Sequence, residues 1–92
     1  MEFEWDPRKS RINLLKHGVD FAEAMTIFGD PFELARIDPE HSKGEYRFLS
    51  LGLSTASRLL LVSYAERDNR IRLISAREAA PHERRQYETR RA

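Results

Sequence analysis

The 92-residue sequence has no cysteine, only four glycines and four prolines, and no long hydrophobic run. The absence of thiols excludes disulfides, thiolate nucleophiles and cysteine-bound zinc. No segment approaches the roughly 20 apolar residues of a membrane helix, and the chain starts without the basic and apolar stretches of a secretory signal. We therefore expect a cytoplasmic protein with no membrane partner.

Several catalytic signatures are also missing. There is no glycine-rich phosphate loop and no Gly-x-Ser-x-Gly elbow. The histidines, at positions 17, 41 and 82, lack the close spacing of a metal site. One loop is crowded with acidic and histidine side chains, and a solvated polar loop explains it better than a cation site does (Asp38, Glu40, His41 and Glu45). We expect no metal and no cofactor.

Charge is abundant and unevenly distributed. Charged residues make up 34% of the chain. The length of 92 residues is enough for one domain, which we expect to span residues 1–92. Residues 1–46 carry six Lys or Arg and ten Asp or Glu, whereas residues 47–92 carry ten Arg, no Lys and five Asp or Glu. Arginine presents a planar fork that suits phosphate or carboxylate. The second half is therefore interpreted as a nucleic-acid surface or as the docking face for an acidic partner.

Two helices are predicted at the start of the chain. Asp6 and Pro7 form a helix start, and the helix should end near His17 because Gly18 suits the left-handed capping position. Its apolar stripe would be formed by Ile12, Leu14 and Leu15. A second helix follows after the cap Asp20, with apolar residues at helical spacing (Phe21, Ala24, Met25 and Phe28).

The period changes to that of strands after Pro31. Strands are predicted at 32–37, 46–53, 59–65 and 70–76, and their short links favour an antiparallel meander in which 59–65 is central. A helix is predicted within 79–92. The expected fold class is α+β: two N-terminal helices packed on a four-stranded antiparallel sheet, then a C-terminal helix. The helices should cover one face and leave the other open.

Arginines at strand positions are the first candidates for a site. Alternation predicts that Arg70 and Arg72 project together, with Ser75 and Arg77 on the opposite side. Converging guanidinium groups would bind a phosphodiester and stabilise the negative charge that develops during attack. Cross-strand pairing with nearby glutamates explains the same arginines equally well.

Lys16 and His17 close the first helix. The helix dipole favours cations there, which is a sufficient structural explanation. The functional interpretation is a histidine beside a cation, ready for proton transfer.

The sequence resembles the BrnT toxin family at both ends. The opening resemblance is carried by Phe3, Trp5-Asp6-Pro7, Lys9, Asn13, Lys16-His17-Gly18-Val19 and Phe21. The closing resemblance is carried by Arg72-Leu73-Ile74-Ser75-Ala76-Arg77-Glu78-Ala79, Glu83-Arg84 and Tyr87. Between them, the family's order and spacing are matched by Phe28, Asp30-Pro31, Glu45, Arg47, Val62, Tyr64 and Arg67.

This resemblance implies a RelE-like fold and the toxin of a type II toxin–antitoxin module, which cuts RNA and stops translation. The partner would be a BrnA antitoxin with a ribbon-helix-helix region. The complex would be a hetero-oligomer that represses its own operon and touches operator DNA only through the antitoxin.

A metal-free ribonuclease needs a base, an acid and cations on the phosphate. The expected catalytic residues are Lys16, His17, Glu45, Arg47, Arg67 and Arg77, and the expected RNA contacts are Arg70, Arg72 and Tyr87. Among them, Arg47, Arg67 and Arg77 would hold the phosphate, and Glu45 is a candidate base. His17 with Lys16 would either transfer the proton or stabilise the developing charge. The alternative is a non-catalytic module that binds nucleic acid or docks a partner.

Overall fold

The computed structural model describes residues 2–92 and contains a mixed sheet with helices on both faces. Its strands are β1 (Glu2–Glu4), β2 (Leu34–Ile37), β3 (Arg47–Leu53), β4 (Leu59–Arg67) and β5 (Arg70–Glu78). Its helices are α1 (Pro7–His17), α2 (Phe21–Ala24) and α3 (Pro81–Arg91). Short 3₁₀ turns follow at Met25–Gly29 and Pro39–His41. The α+β class expected from the sequence is confirmed.

The strand order is β1-β5-β4-β3-β2. Strands β2 to β5 form the expected antiparallel meander with β4 at its centre, but β1 adds a fifth strand that runs parallel to β5. The prediction of four antiparallel strands is therefore wrong at this edge. Three residues with a single apolar side chain, Phe3, carry no detectable strand period, and their partners lie at Arg70–Arg72.

Helix α1 begins and ends where its capping residues predict. The Asp6 carboxylate accepts a hydrogen bond from the backbone N–H of Arg8 at 2.8 Å. Gly18 has φ of 74° and donates its backbone N–H to the Leu14 carbonyl at 2.8 Å. A left-handed residue at this position is unstrained only because it is glycine.

The face of α1 that meets the sheet differs from the expected apolar stripe. Asn13 is the buried residue of this helix, whereas Ile12 and Leu15 are 61% and 83% exposed. The Asn13 amide donates to the carbonyls of Val19 and Ala76 at 2.7 and 2.8 Å, and its oxygen accepts from the Ala76 N–H at 3.2 Å. Three hydrogen bonds to backbone groups thus outweigh the hydrophobic preference in orienting α1.

The second predicted helix is a single α-helical turn that tightens into 3₁₀ geometry. The Asp20 side chain caps it by accepting from the Glu23 N–H at 2.8 Å, as predicted. Residues three apart are neighbours on one side of an α-helical turn and lie directly above one another in a 3₁₀ segment. This spacing buries Phe21, Ala24 and Ile27 completely and leaves Met25 and Phe28 only partly buried.

Two hydrophobic clusters lie on opposite faces of the sheet. The larger one packs Phe21 and Ile27 against Leu60, Val62 and further strand residues. On the opposite face, α3 inserts Tyr87 between Leu51 and Leu59. The expectation that all helices lie on one face is therefore wrong, because α3 covers one end of the second face. We call the rest of that second face the open face.

Candidate active site

Three strands contribute side chains to the open face in regular rows. Antiparallel partners share a face, so β3, β4 and β5 align Arg47, Ala65 and Arg72 in one row. The neighbouring row contains Leu49, Ser63 and Ser75, and in the next row Leu61 lies opposite Arg77. Arginines from two non-adjacent strands thus flank a row that contains two serines.

A β-bulge in β5 brings the arginines of this strand to the same face. The pairing steps from Ser63 opposite Ser75 to Tyr64 opposite Leu73, so Ile74 is an extra residue. A bulge shifts the alternation by one position. Simple alternation assigns Arg72 and Arg77 to opposite sides of the sheet. Because of the bulge, both side chains are on the open face, so the prediction from alternation is wrong here.

A pocket of about 460 Å³ lies on the open face. Helix α1 contributes His17 at its rim, and the N-terminal turn of α3 contributes Glu83. Strand β2 and the turn after it contribute Arg36, Asp38 and His41. The floor and remaining walls come from β3, β4 and β5: Arg47, Leu49, Leu61, Ser63, Ile74, Ser75, Ala76 and Arg77. Three guanidinium groups and two imidazoles therefore meet two carboxylates in one cavity.

Arg77 is held in place by a buried carboxylate. Its Nη1 and Nη2 donate to the two Glu83 carboxylate oxygens at 2.8 and 2.9 Å, and Nη1 also donates to the Glu78 carbonyl at 3.1 Å. Glu83 in turn accepts the Ala80 N–H at 2.7 Å. Within residues 2–92, no hydrogen bond uses Arg77 Nε, so the Nε–Nη2 edge of the guanidinium keeps donors for a ligand.

This ion pair shifts the pKa of both partners toward the charged forms. The hydrogen bonds to Glu83 raise the pKa of Arg77. Burial by itself raises the pKa of Glu83, but the hydrogen bonds from Arg77 and the Ala80 N–H outweigh burial and lower it. The pair is bidentate, which fixes the guanidinium plane as well as its charge.

Arg47 lies in the same pocket with an unsatisfied donor. Its Nε is buried and has no hydrogen-bond partner within residues 2–92, and the Glu45 carboxylate is 3.9 Å away from it. A buried polar group without a partner costs about 1–3 kcal/mol. Such a cost in a native fold is common where a side chain is kept for function.

His17 reaches the pocket through the way α1 ends. Asn13 ties this helix to Ala76 on β5, and Ala76 itself lines the pocket. His17 is the last residue of the helix and is exposed at the pocket rim. Lys16 is exposed as well but is not among the pocket-lining residues.

Sequence reasoning missed a second histidine in the pocket. His41 Nδ1 lies 2.8 Å from the Asp38 carboxylate, and both residues line the cavity together with Arg36. Hydrogen bonding to a carboxylate orients an imidazole ring. A histidine three residues after an aspartate, in a turn that begins with Pro39, was the available signal.

Four other expected site residues lie outside the pocket lining. Glu45 lies next to Arg47, and Arg67 is at the turn between β4 and β5. Arg70 is opposite Arg67 and donates its Nε to the Glu2 carboxylate at 3.2 Å. Arg72 extends the row of Arg47 beyond the cavity.

Tyr87 is a core residue. It is 4% exposed and donates its hydroxyl to the Asp30 carboxylate at 2.6 Å. The phenol packs against Leu51 and Leu59, so its ring is too deeply buried for a base to stack on it. The expected RNA contact by Tyr87 is corrected to a role in holding α3 on the sheet.

Potential metal ligands do not cluster in the part of the chain that the structure describes. No group of three or more His, Asp or Glu side chains is arranged to hold a metal ion within residues 2–92. Over the same residues, every helix is too short or too polar to cross a membrane.

Comparison with known proteins gives a family and a fold relative. A family model described as "Ribonuclease toxin, BrnT, of type II toxin-antitoxin system" matches residues 5–83. The crystal structure of the ribonuclease toxin BrnT from Brucella abortus is similar, with a TM-score of 0.63 and 25% sequence identity over 87% of this chain and 97% of that chain. No curated protein sequence matches the chain significantly.

Proposed function

The chain belongs to the BrnT family of ribonuclease toxins of type II toxin–antitoxin systems, and from this premise we propose that it cleaves RNA in the pocket of the open face without a metal ion. The proposal assigns it an endoribonuclease activity of RelE type that inhibits translation.

One observation carries the proposal. Guanidinium groups from three strands, Arg36, Arg47 and Arg77, line one cavity with two imidazoles, His17 and His41. Cations that are fixed before the substrate arrives stabilise the charge that builds up on a phosphate under attack. Imidazoles are suited to the two proton transfers because histidine is the side chain most often used as a general acid or base.

The reaction follows from these groups. One imidazole takes the proton from a ribose 2′-hydroxyl, and the 2′-oxygen forms a bond to the adjacent phosphorus. The bond from phosphorus to the 5′-oxygen breaks, and the second imidazole gives that oxygen a proton. The products are a 2′,3′-cyclic phosphate and a 5′-hydroxyl, so atoms and protons balance without water or a cofactor.

The cationic groups have separate tasks in this proposal. Arg47 and Arg77 bind the scissile phosphate, and Lys16 adds positive charge beside His17. Glu83 acts as a positioning residue because its bidentate contact fixes the Arg77 plane. Glu45, 3.9 Å from Arg47, orients that guanidinium rather than acting as the base.

RNA on either side of the cleaved bond would follow the open face. Arg72 continues the row that begins at Arg47, and Arg67 and Arg70 lie beyond it at the β4–β5 turn. These side chains contact phosphates outside the pocket and contribute affinity rather than transition-state stabilisation.

A type II toxin has an antitoxin partner. We further propose that it is of the BrnA type with a ribbon-helix-helix region, and that the complex represses its own operon. This part rests on the family resemblance.

The test is cleavage of end-labelled RNA by the purified chain in excess EDTA, with analysis of the product ends. We expect cleavage to persist and to leave cyclic phosphate ends. His17→Ala should slow cleavage by about 10²–10³-fold, a range typical of losing a proton-transfer or charge-stabilising group. His82→Ala is the matched control, because His82 is exposed and is not among the pocket-lining residues.

Three other outcomes would each contradict a different part of the proposal. An RNA that is retarded on a gel but stays intact would support the alternative of a binding module. Activity that EDTA abolishes would overturn the metal-free chemistry. Native rates in His17→Ala would remove this imidazole from the site.

A further inference from the structure

Helix α1 exposes an apolar and cationic surface. The fold uses it only through Arg8, whose Nη2 donates to the Asp6 carboxylate at 3.4 Å. Within residues 2–92, six large hydrophobic side chains are exposed, and three of them are Ile12, Leu14 and Leu15. Single exposed apolar residues are normal, but a cluster on one element indicates an interaction site. Leu15, at 83%, is the most exposed of the six.

The outward side of α1 combines this apolar surface with positive charge. Asn13 faces the sheet, and at 100° per residue the opposite side carries Arg8, Arg11, Ile12 and Leu15, which are spaced at i, i+3, i+4 and i+7. The helix contains four Lys or Arg residues and no acidic residue. We call the side chains of Arg8, Arg11, Ile12 and Leu15 the α1 outer face.

We propose that the α1 outer face docks an acidic amphipathic helix of the antitoxin. Such a helix would cover Ile12 and Leu15 with its apolar stripe and pair its carboxylates with Arg8 and Arg11. The inference rests on the chain's membership of a toxin–antitoxin family, and it specifies where and by what chemistry the partner binds.

Other occupants fit this surface less well. Two copies of the same face would bring Arg8 and Arg11 near their own symmetry mates, and like charges in an interface are unfavourable. RNA would neutralise the arginines but would leave Ile12 and Leu15 uncovered. A partner helix with both acidic and apolar residues satisfies both halves of the surface.

The location also explains how docking would affect the pocket. Leu15 is two residues from His17, a rise of about 3 Å along the helix. His17 lines the pocket. At 100° per residue, however, Leu15 and His17 point to nearly opposite sides of α1. A helix on the α1 outer face would therefore leave the pocket itself uncovered, and a further segment of the antitoxin would have to extend around α1 to block RNA.

The experiment measures binding of the antitoxin encoded in the same module to the full chain by isothermal titration calorimetry. Leu15→Glu and Arg11→Glu should each weaken binding at least about 10-fold, the loss typical of a residue important to an interface. Ile37→Glu is the matched control, because Ile37 is 52% exposed on β2 and should leave the affinity near the native value.

RNA cleavage and sedimentation of the same variants separate the possible results. Leu15→Glu without antitoxin should cleave RNA at the native rate and sediment as the native chain does. Native antitoxin affinity in both α1 variants would overturn the proposal. A dimer of the native chain that Leu15→Glu dissociates, or reduced RNA affinity with unchanged antitoxin affinity, would also overturn it. If the native chain failed to cleave RNA but bound antitoxin in a Leu15-dependent way, the proposed cleavage would fail and the docking site would stand.

Discussion

At the scale of single residues, Asn13 joins two segments that are 63 positions apart. Its side chain satisfies the Val19 carbonyl and both backbone groups of Ala76. These bonds set the height and rotation of α1 on the sheet. They thereby direct His17 to the pocket and leave Leu15 in solvent.

We predict that Asn13→Ala lowers the free energy of unfolding by about 2–4 kcal/mol, because it leaves buried backbone groups without partners. Leu15→Ala is the control and should change it by less than about 0.5 kcal/mol, since Leu15 is 83% exposed. Urea denaturation of both variants measures the difference. A larger loss in Leu15→Ala than in Asn13→Ala would contradict this account of α1.

The behaviour of these residues marks the limit of local patterns. Asp6, Gly18 and Asp20 were predictable as caps because each acts on backbone within a few residues. The role of Asn13 was not, because its partner Ala76 is distant in sequence. The apolar stripe on α1 predicted burial of Leu15. The hydrogen bonds of Asn13 that orient the helix differently could not be predicted from the sequence.

At the scale of elements, the 3₁₀ turn Met25–Gly29 packs tightly on β3. Gly52 lies against Ile27, and a Cβ atom at position 52 would come within 2.9 Å of Ile27 Cβ and 3.2 Å of its carbonyl oxygen. Ile27 is completely buried and has no free space to move into. Close approach of these elements thus requires glycine at this position.

We predict that Gly52→Ala destabilises the fold by about 1–3 kcal/mol through overpacking. Gly29→Ala provides the comparison, because a Cβ atom at position 29 would meet no atom within 4 Å and the backbone there is not left-handed. Thermal unfolding of the two variants should show a clear decrease only for Gly52→Ala. Equal melting temperatures would contradict the tight contact.

Two features of the sheet could not be predicted from the sequence because they depend on how one strand pairs with another. β1 exists through its parallel register with Arg70–Arg72, and nothing within Glu2–Glu4 predicts that register. The bulge at Ile74 depends on how β5 matches β4, although it decides which face Arg77 occupies. The meander was predictable because short links constrain neighbouring strands.

At the scale of the whole molecule, three carboxylates, of which Glu83 is buried and the other two are partly buried, connect separate layers. Hydrogen bonds from Arg58, which also donates to the Gly18 carbonyl at 2.9 Å, lower the pKa of Glu23. Burial raises the pKa of Asp30, but bonds from Tyr87 and two backbone N–H groups outweigh it and lower the pKa. The pKa of Glu83 is lowered as well.

These shifts predict acid destabilisation. Because each folded-state pKa lies below the unfolded value, which is 4.5 for Glu and 3.8 for Asp, the unfolded chain binds more protons as the pH falls through this range. The stabilisation is present above these values and is lost below them. Glu23→Gln should therefore lower the free energy of unfolding by about 1–3 kcal/mol at pH 7. The difference in this free energy between the variant and the native chain should become smaller toward pH 3. Urea unfolding at each pH measures this difference. A difference in the free energy of unfolding that stays constant from pH 7 to pH 3 would contradict the assignment.

The pocket is assembled from segments that the sequence keeps far apart. His17, Arg47 and Arg77 were predicted as site residues from their types and from the family resemblance, and they line one cavity. Arg36 could not be predicted, because its position depends on the pairing of β2 with β3. The sequence contains a signal for His41 in the spacing of Asp38 and His41, but its place in the pocket depends on the turn that follows β2.

The central claim is that the pocket, rather than the whole arginine-rich surface, is where RNA is cleaved. Arg47 and Arg67 separate these possibilities, because Arg47 lines the pocket and Arg67 lies at the β4–β5 turn outside it. Replacing either by Met removes one charge and keeps an unbranched side chain. Arg47→Met should fold as stably as the native chain, since it also removes the unpartnered Nε.

The decisive measurement is the single-turnover cleavage rate of these two variants at saturating RNA. Arg47→Met should be slowed by about 10²–10³-fold, whereas Arg67→Met should bind RNA more weakly but cleave bound RNA at the native rate. Equal slowing of both variants, or native cleavage by a folded Arg47→Met, would contradict the claim.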